Sequence, residues 1–361
     1  MFVISRNTAF TYRNGQVDTK QIGHELGVRY VLEGTVRRSG NQLRVTAQLI
    51  DAATDAHLWA ERFDRETGDL FALQNEITSR IAVALNLEIV TAEAARPTQQ
   101  PDAFDYILRG RAELSTAPAH NYPEAIRLFE RALALDPDSV EAKSRLATAL
   151  AGRVLENLTD SREADTLRAE GLIRRALAAS PLDPLAHFAK GVVLRVRGRP
   201  EEAILEFEAV LAFDRNAIGA LFQLGWCKLM TGSINEVIPL AEQGIRLSPR
   251  DPYIANWYSR IGLVHLLQSQ TSDAVLWLEK ARNASPSLPV PHLTLASTYA
   301  LKGETERAAA ELAEARRLRQ GSYSSIAQLR ARVGYWGVPK IIALHEATFF
   351  AGLRKAGVPE E

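Results

Sequence analysis

The side chains able to do chemistry are few and scattered. His24 and His57 each stand alone, without a second ligand at metal-binding spacing. Arg37, Arg38 and Arg44 gather around Ser39-Gly40-Asn41; such a group can hold an anion, but its strand context reads as a solvated face. Asp51, Asp64 and Asp69 fall at turns and helix starts, where aspartate serves as a local acceptor for backbone N–H groups. Cys227, the single cysteine, cannot close an intramolecular disulfide and lies in an apolar helical pattern, the usual setting of a small buried residue. A glycine-rich phosphate loop, a nucleophile elbow and a paired-histidine zinc motif are all absent from the sequence. The reading is therefore of a chain without a catalytic constellation, metal or cofactor.

Bulk properties narrow the classes further. Lys plus Arg and Asp plus Glu each number 43, so the formal net charge is zero, against the basic excess expected of a nucleic-acid binder. With 46% apolar and 24% charged residues, the 361-residue chain has the composition of an ordinary globular protein of two or three domains. No run approaches the roughly 18 apolar residues of a membrane helix, and no basic segment followed by an apolar stretch opens the chain. Taken as given, it is expected in the cytosol.

Residues 1–95 read as an α+β domain. Phe2–Ile4 form a short apolar strand-like run. Asp18 supplies a helix N-cap with Gln21 in capping-box position, Val17 and Ile22 as the staple, and Gly27 beyond the last turn. The period then changes to two. Tyr30, Leu32, Gly34 and Val36 share one strand face; after the turn, Leu43, Val45, Ala47 and Leu49 share the return face. A third strand spans HLWAERFD, and Leu70, Leu73, Ile77, Ile81 and Leu85 step along a long helix. Strand, helix, three antiparallel strands and helix make an α+β sandwich.

The stretch from FVISRNTAF through LFALQNEIT closely resembles the TolB-N-like domain of bacterial multidomain signalling proteins. In that family the domain stands between an effector, commonly a class III adenylate or guanylate cyclase or a winged-helix DNA-binding domain, and a run of tetratricopeptide repeats. The family places a further strand and helix ahead of the FVISRN strand, and this sequence has neither. The resemblance therefore implies that Phe2–Ile4 is an interior strand at a truncated or reassigned start. It also implies a periplasmic alternative, since some members carry a membrane helix upstream.

Residues 96–102, RPTQQPD, read as a linker. Beyond it, ALALDPDS, ALAASPLD, GIRLSPRD and ARNASPSL set equivalent prolines at 137, 181, 249 and 286, with Pro181 and Pro249 two 34-residue tetratricopeptide periods apart. Small–large–small triplets mark the second helices: Ala125/Phe129/Ala132, Ala169/Ile173/Ala176, Ala203/Phe207/Val210, Ala274/Leu278/Ala281 and Ala308/Leu312/Ala315, with Val237/Ala241/Gly244 the weakest. First helices carry Gly110, Ala147, Gly191, Gly225, Gly262 and Ala296 where the partner helix must come close. Six repeats over 103–320 and a helical capping segment over 321–361 follow. The ending FFAGLRKAGVPEE is also similar to the C-termini of the cyclase-type members.

A tetratricopeptide superhelix lines its concave face with its first helices. In that register the middle repeats offer Leu185, Phe188, Val192 and Arg195; Gly219, Phe222, Trp226 and Leu229; and Asn256, Ser259, Leu263 and Leu266. This apolar groove is expected to accept an apolar or amphipathic protein segment anchored on Phe188, Phe222 and Trp226. Packing between repeats, or cover by another part of the chain, is the competing account of the same residues. Ile107 and Arg111 replace the Lys and Asn of the chaperone-tail-binding type, which speaks against a carboxylate clamp in repeat one. The expected function is a non-catalytic interaction module of a signalling protein. The alternatives are an accessory part of an adenylate cyclase whose catalytic domain is absent here, and a DNA-binding regulator, which lacks a basic recognition helix.

Overall fold

The computed structural model describes residues 4, 8–9, 12, 18–66, 70–96, 101–115, 121–319, 323–333 and 336–361. Phe2, Val3, Val17 and Asp69, and the side chains of Leu70 and Leu73, lie outside that set. The chain divides into two compact units, Met1–Arg96 and Pro97–Glu361.

In the first unit, helix α1 (Thr19–Leu26) precedes strands β1 (Tyr30–Ser39), β2 (Gln42–Asp51) and β3 (Ala56–Glu66) and helix α2 (Leu70–Ala94). Asp18 caps α1 by accepting from Lys20 N at 3.0 Å, and Gly27 closes it in the left-handed region at φ 62°. The expected capping box does not form: Asp18 accepts from the second residue of the helix rather than from Gln21 N, and the Gln21 amide donates to Glu25 at 2.7 Å. The strands form one antiparallel sheet in the order β1-β2-β3, with a bulge at Leu49/Ile50. Ala47, Leu49, Trp59, Phe63 and Ile77 make the core between the sheet and α2. Leu32 and Val36 pair with Leu49 and Val45 and so share their face, yet both are exposed. Among the described residues they lie on the outer strand of the sheet, where cover gives out before the pattern does.

Among the described residues of this unit, Asp51 and Asp64 settle into structural roles. His24 and His57 are exposed. Asp51 accepts from Ala53 N at 2.9 Å, as a turn aspartate should, and also pairs with Arg29 at 3.1 Å. Asp64 lies within β3 rather than at a turn, and pairs with Arg44 at 2.6 Å and Arg62 at 3.0 Å. That carboxylate already answers one member of the arginine cluster beside the hairpin.

The second unit is built from helix pairs: α3 (Ala103–Leu114) with α4 (Tyr122–Leu135), α5 (Val140–Leu155) with α6 (Arg162–Ala179), α7 (Pro184–Val196) with α8 (Pro200–Phe213), α9 (Ile218–Met230) with α10 (Val237–Leu247), α11 (Ile254–Leu267) with α12 (Thr271–Ala284), and α13 (Pro289–Leu301) with α14 (Thr305–Leu318). The triplets are buried throughout. They meet the first helices where glycine was expected: a Cβ on Gly110 would stand 2.5 Å from the Phe129 ring, one on Gly191 2.6 Å from Phe207, and one on Gly262 2.6 Å from Leu278. These contacts are closer than a Cβ tolerates, so the ring of one helix rests on the bare backbone of its partner.

The C-terminal segment comprises α15 (Ile326–Val333), α16 (Pro339–His345), a π-helical turn at Glu346–Phe350 and α17 (Ala351–Lys355). Phe349, Phe350, Leu353 and Val358 join the core of the last two pairs.

Candidate functional site

The concave face is defined by the first helices α3, α5, α7, α9, α11 and α13. Its two halves differ. Over α9, α11 and α13 the face is occupied by the chain's own C-terminal segment. Ile341, with Val338 and Leu344, packs into one apolar cluster with Leu229, Trp226, Leu263 and Val264. Val338 N donates to Met230 O at 2.8 Å, and Ser297 Oγ donates to Phe349 O at 2.8 Å. Gly352 comes so close that a Cβ there would clash with Ser297 O. Every residue from Pro291 to Ala300 is buried as a result. The segment thus packs on the last pair and also runs back as far as α9. The sequence holds the apolar spacing of Val338, Ile341 and Leu344 but not the surface they seek.

This arrangement sorts the residues expected to line the groove. Leu229 and Leu266 are buried beneath or beside the C-terminal segment, and Val192 is buried between helices, so none of the three offers free surface. Leu185 and Asn256 are half-buried. Phe188 packs edge-on against Phe207 at 5.7 Å between centroids and lies 3.3 Å from a Cβ placed on Gly219, so it serves the joint between repeats. Phe222 stands edge-on to Trp257 at 5.0 Å.

At the boundary between the two halves lies a group that the sequence pattern does not reveal. Arg260, on α11, is 3% exposed. Its guanidinium lies 3.7 Å from the Phe222 ring centroid and 4.4 Å from that of Trp226, with Arg195 5.7 Å from the same Trp226 ring. Arg260 Nη1 donates to Phe222 O, and Arg195 Nη1 donates to Gln223 Oε1. Burial and the neighbouring Arg195 push Arg260 well below its ordinary value, and burial likewise lowers Arg195. Arginine nevertheless keeps its proton in proteins, so this pressure measures how poorly the two charges are compensated. Cys227, beside both, is held up to about 11 by burial and remains an inert thiol.

The weak fourth triplet explains the intrusion. Ala241 takes the place of the large residue that fills the space above the first-helix glycine elsewhere. At Gly225 it is Arg260 from the next pair that comes in instead, 3.2 Å from where a Cβ would stand. Gly244 is covered in turn by Trp257, whose ring leaves no room for a Cβ there.

The ends of α3 and α5, in the other half of the face, reach the fifth and sixth pairs. Tyr253 Oη, at the start of α11, donates to Leu114 O at 3.1 Å, and Arg319 donates to Glu156 O at 2.6 Å. A second unanticipated device recurs at two joints. His187 links Glu206 (2.6 Å) to Pro181 O (3.0 Å), and His292 links Glu311 (2.6 Å) to Pro286 O (2.9 Å). In each, an imidazole ties the proline ending one pair to both helices of the next. Among the described residues, no cluster of His, Cys, Asp and Glu could hold a metal, and no helix is long and apolar enough to cross a membrane.

Comparison with known proteins places this geometry. Residues 119–165 and 162–218 match the tetratricopeptide repeat model. A Rhizobium meliloti (strain 1021) protein named "Putative adenylate cyclase 3" is 35% identical over 207 residues, which is 56% of this chain and 35% of that protein, so the chain spans about a third of this relative's length. Among solved structures, the APC/C hetero-tetramer Cut9-Hcn1 aligns with a TM-score of 0.52 at 16% identity, over 70% of this chain and 47% of that one. The IFIT1 monomeric mutant with Gppp-AAAA aligns with a TM-score of 0.52 at 16% identity, over 80% and 68%. At such identities the likeness is one of fold. The chain is a small antiparallel α+β unit followed by a tetratricopeptide superhelix.

Proposed function

We propose that this chain is a non-catalytic interaction module whose concave face holds an apolar or amphipathic protein segment. The observation that carries the reading is the chain's own C-terminal segment, whose Val338, Ile341 and Leu344 lie against Leu229, Leu263 and Val264. A groove that takes these side chains in cis has the width and apolarity to take similar ones in trans. Phe222 and Trp226, at the inner end of the occupied stretch, are the anchors that a partner segment would share. The chain's segment and a partner then compete, and the high local concentration of a tethered segment favours the former.

The reading is tested by fluorescence polarisation with a labelled peptide of residues 336–350. The full-length Ile341→Asp variant, whose own segment is weakened, is expected to bind this peptide at least tenfold more tightly than the unaltered chain. Equal affinity, or binding by neither, overturns it.

A second reading follows from the relative named for adenylate cyclase. Here the chain is the accessory part of a cyclase, with the first unit in the place of the TolB-N-like domain. Cyclase chemistry requires carboxylates that hold two metal ions, and no such cluster lies among the described residues. Incubating the purified chain with ATP or GTP and Mg²⁺ or Mn²⁺ is expected to yield no cyclic nucleotide. Turnover would return the activity to this chain.

A further inference from the structure

We propose that Arg260 and Arg195 form a carboxylate-binding site at the junction of the third, fourth and fifth repeats. The hydrogen-bond arithmetic points there. Arg260 spends Nη1 on Phe222 O, while its Nε and Nη2 are buried without a partner; Arg195 spends Nη1 on Gln223, while its Nε is likewise buried without one. Nε and Nη2 are the two parallel donors on one edge of a guanidinium, the edge that grips both oxygens of a carboxylate. The same grip is seen on the surface where Arg199 Nε and Nη2 hold Glu202 at 2.5 and 2.6 Å. At Arg260 both donors of that edge lack a partner, in a buried setting where an unmet donor is costly.

Charge argues the same way. No Asp or Glu among the described residues forms an ion pair with Arg195 or Arg260, although half-buried arginines elsewhere in the unit have such partners: Arg153 pairs with Asp165 and Arg282 with Glu311. Two like charges near one another, one of them 3% exposed, call for an anion. The Phe222 and Trp226 rings hold the Arg260 guanidinium by its π-face, which fixes the plane of the fork before anything binds. Three free donors suit the two oxygens of a carboxylate. The four oxygens of inorganic phosphate outnumber these donors and would keep acceptor sites unmet against the Phe222 and Trp226 rings.

The carboxylate has two sources: an acidic side chain of a segment seated in the groove, which rests on the function proposed above, or a free small carboxylate. The unaltered chain, Arg260→Met and Arg195→Met are melted in sodium acetate, sodium chloride and sodium phosphate at matched ionic strength. Each is also titrated by fluorescence polarisation with a labelled amphipathic peptide carrying one glutamate, and with its glutamine counterpart. The expected result is a melting temperature of the unaltered chain that rises with acetate beyond chloride and phosphate, and that loses this preference in both variants. Circular dichroism at 222 nm checks that each variant keeps its helices, and Arg260→Lys, which retains the charge without the fork, is expected to lose at least tenfold in acetate response. A glutamate peptide binding at least tenfold better than its glutamine form, in the unaltered chain only, assigns the source to a protein segment. Acetate response without peptide discrimination supports the site and counts against the groove as its source. Equal response to all three salts, preference for phosphate, or an acetate response unchanged in Arg260→Met overturns the proposal.

Discussion

The third repeat and the joint between the fourth and fifth solve one packing problem in opposite ways. In the third, Phe207 of the second helix lies on Gly191 of the first, and the repeat is satisfied from within. In the fourth, Ala241 leaves that space open, and Arg260 and Trp257 enter from the following repeat to meet Gly225 and Gly244. A solenoid is held by contacts within and between neighbouring units. Where one unit supplies too little, the next makes up the volume, and here it brings charge into the core. The weakest match to a repeat pattern is where a new chemical property can enter without loss of the fold.

Alanine substitution separates the two solutions. Gly191→Ala forces a methyl against a fully buried ring and is expected to destabilise by about 1–3 kcal/mol in urea unfolding of the full chain. Gly225→Ala meets the Arg260 guanidinium at 3.2 Å, a contact relieved by a movement of a few tenths of an ångström within its plane, while alanine favours the helix over glycine by about 0.5–1 kcal/mol. It is expected to be neutral or slightly stabilising. Equal losses at both positions would erase the distinction.

The smallest effect concerns pH. The hydrogen bond to Glu311 raises His292 above its ordinary value, burial opposing it, so His292 binds its proton more tightly folded than unfolded. Its contribution is complete below the unfolded value of about 6.5 and is lost as pH rises through the folded one. The stability difference between the unaltered chain and His292→Gln should therefore shrink from pH 5.5 to pH 8.5. A difference that grows over this range contradicts the assigned role.

Much of this fold was legible in the sequence, and particular residues show why. Gly110 and Phe129, or Gly262 and Leu278, are local in sequence and stereotyped in geometry, so spacing alone brought each pair together. Strand faces were legible through period two, but the exposure of Leu32 and Val36 was not, since an alternating pattern does not say where a covering helix ends. The groove register placed Phe222 and Trp226 on the concave side. It could not tell that Leu229 lies under Ile341, more than a hundred residues later, because an apolar helix face does not name its partner. Arg260 was hidden for a related reason. One arginine in IANWYSRIGLVHLL reads as a solvated position until the aromatic rings around it are in place. The weakness of Val237/Ala241/Gly244 was the available signal, and it marked the correct joint.

Residues 338–350 fill part of the chain's own groove. Amide hydrogen exchange of the full-length protein followed by mass spectrometry measures this directly. Residues 338–350 are expected to exchange as slowly as α11, and Ile341→Asp to speed exchange there and over α9 and α11 while leaving α7 and α8 unchanged. Rapid exchange of 338–350 in the unaltered chain, with α11 slow, would contradict it.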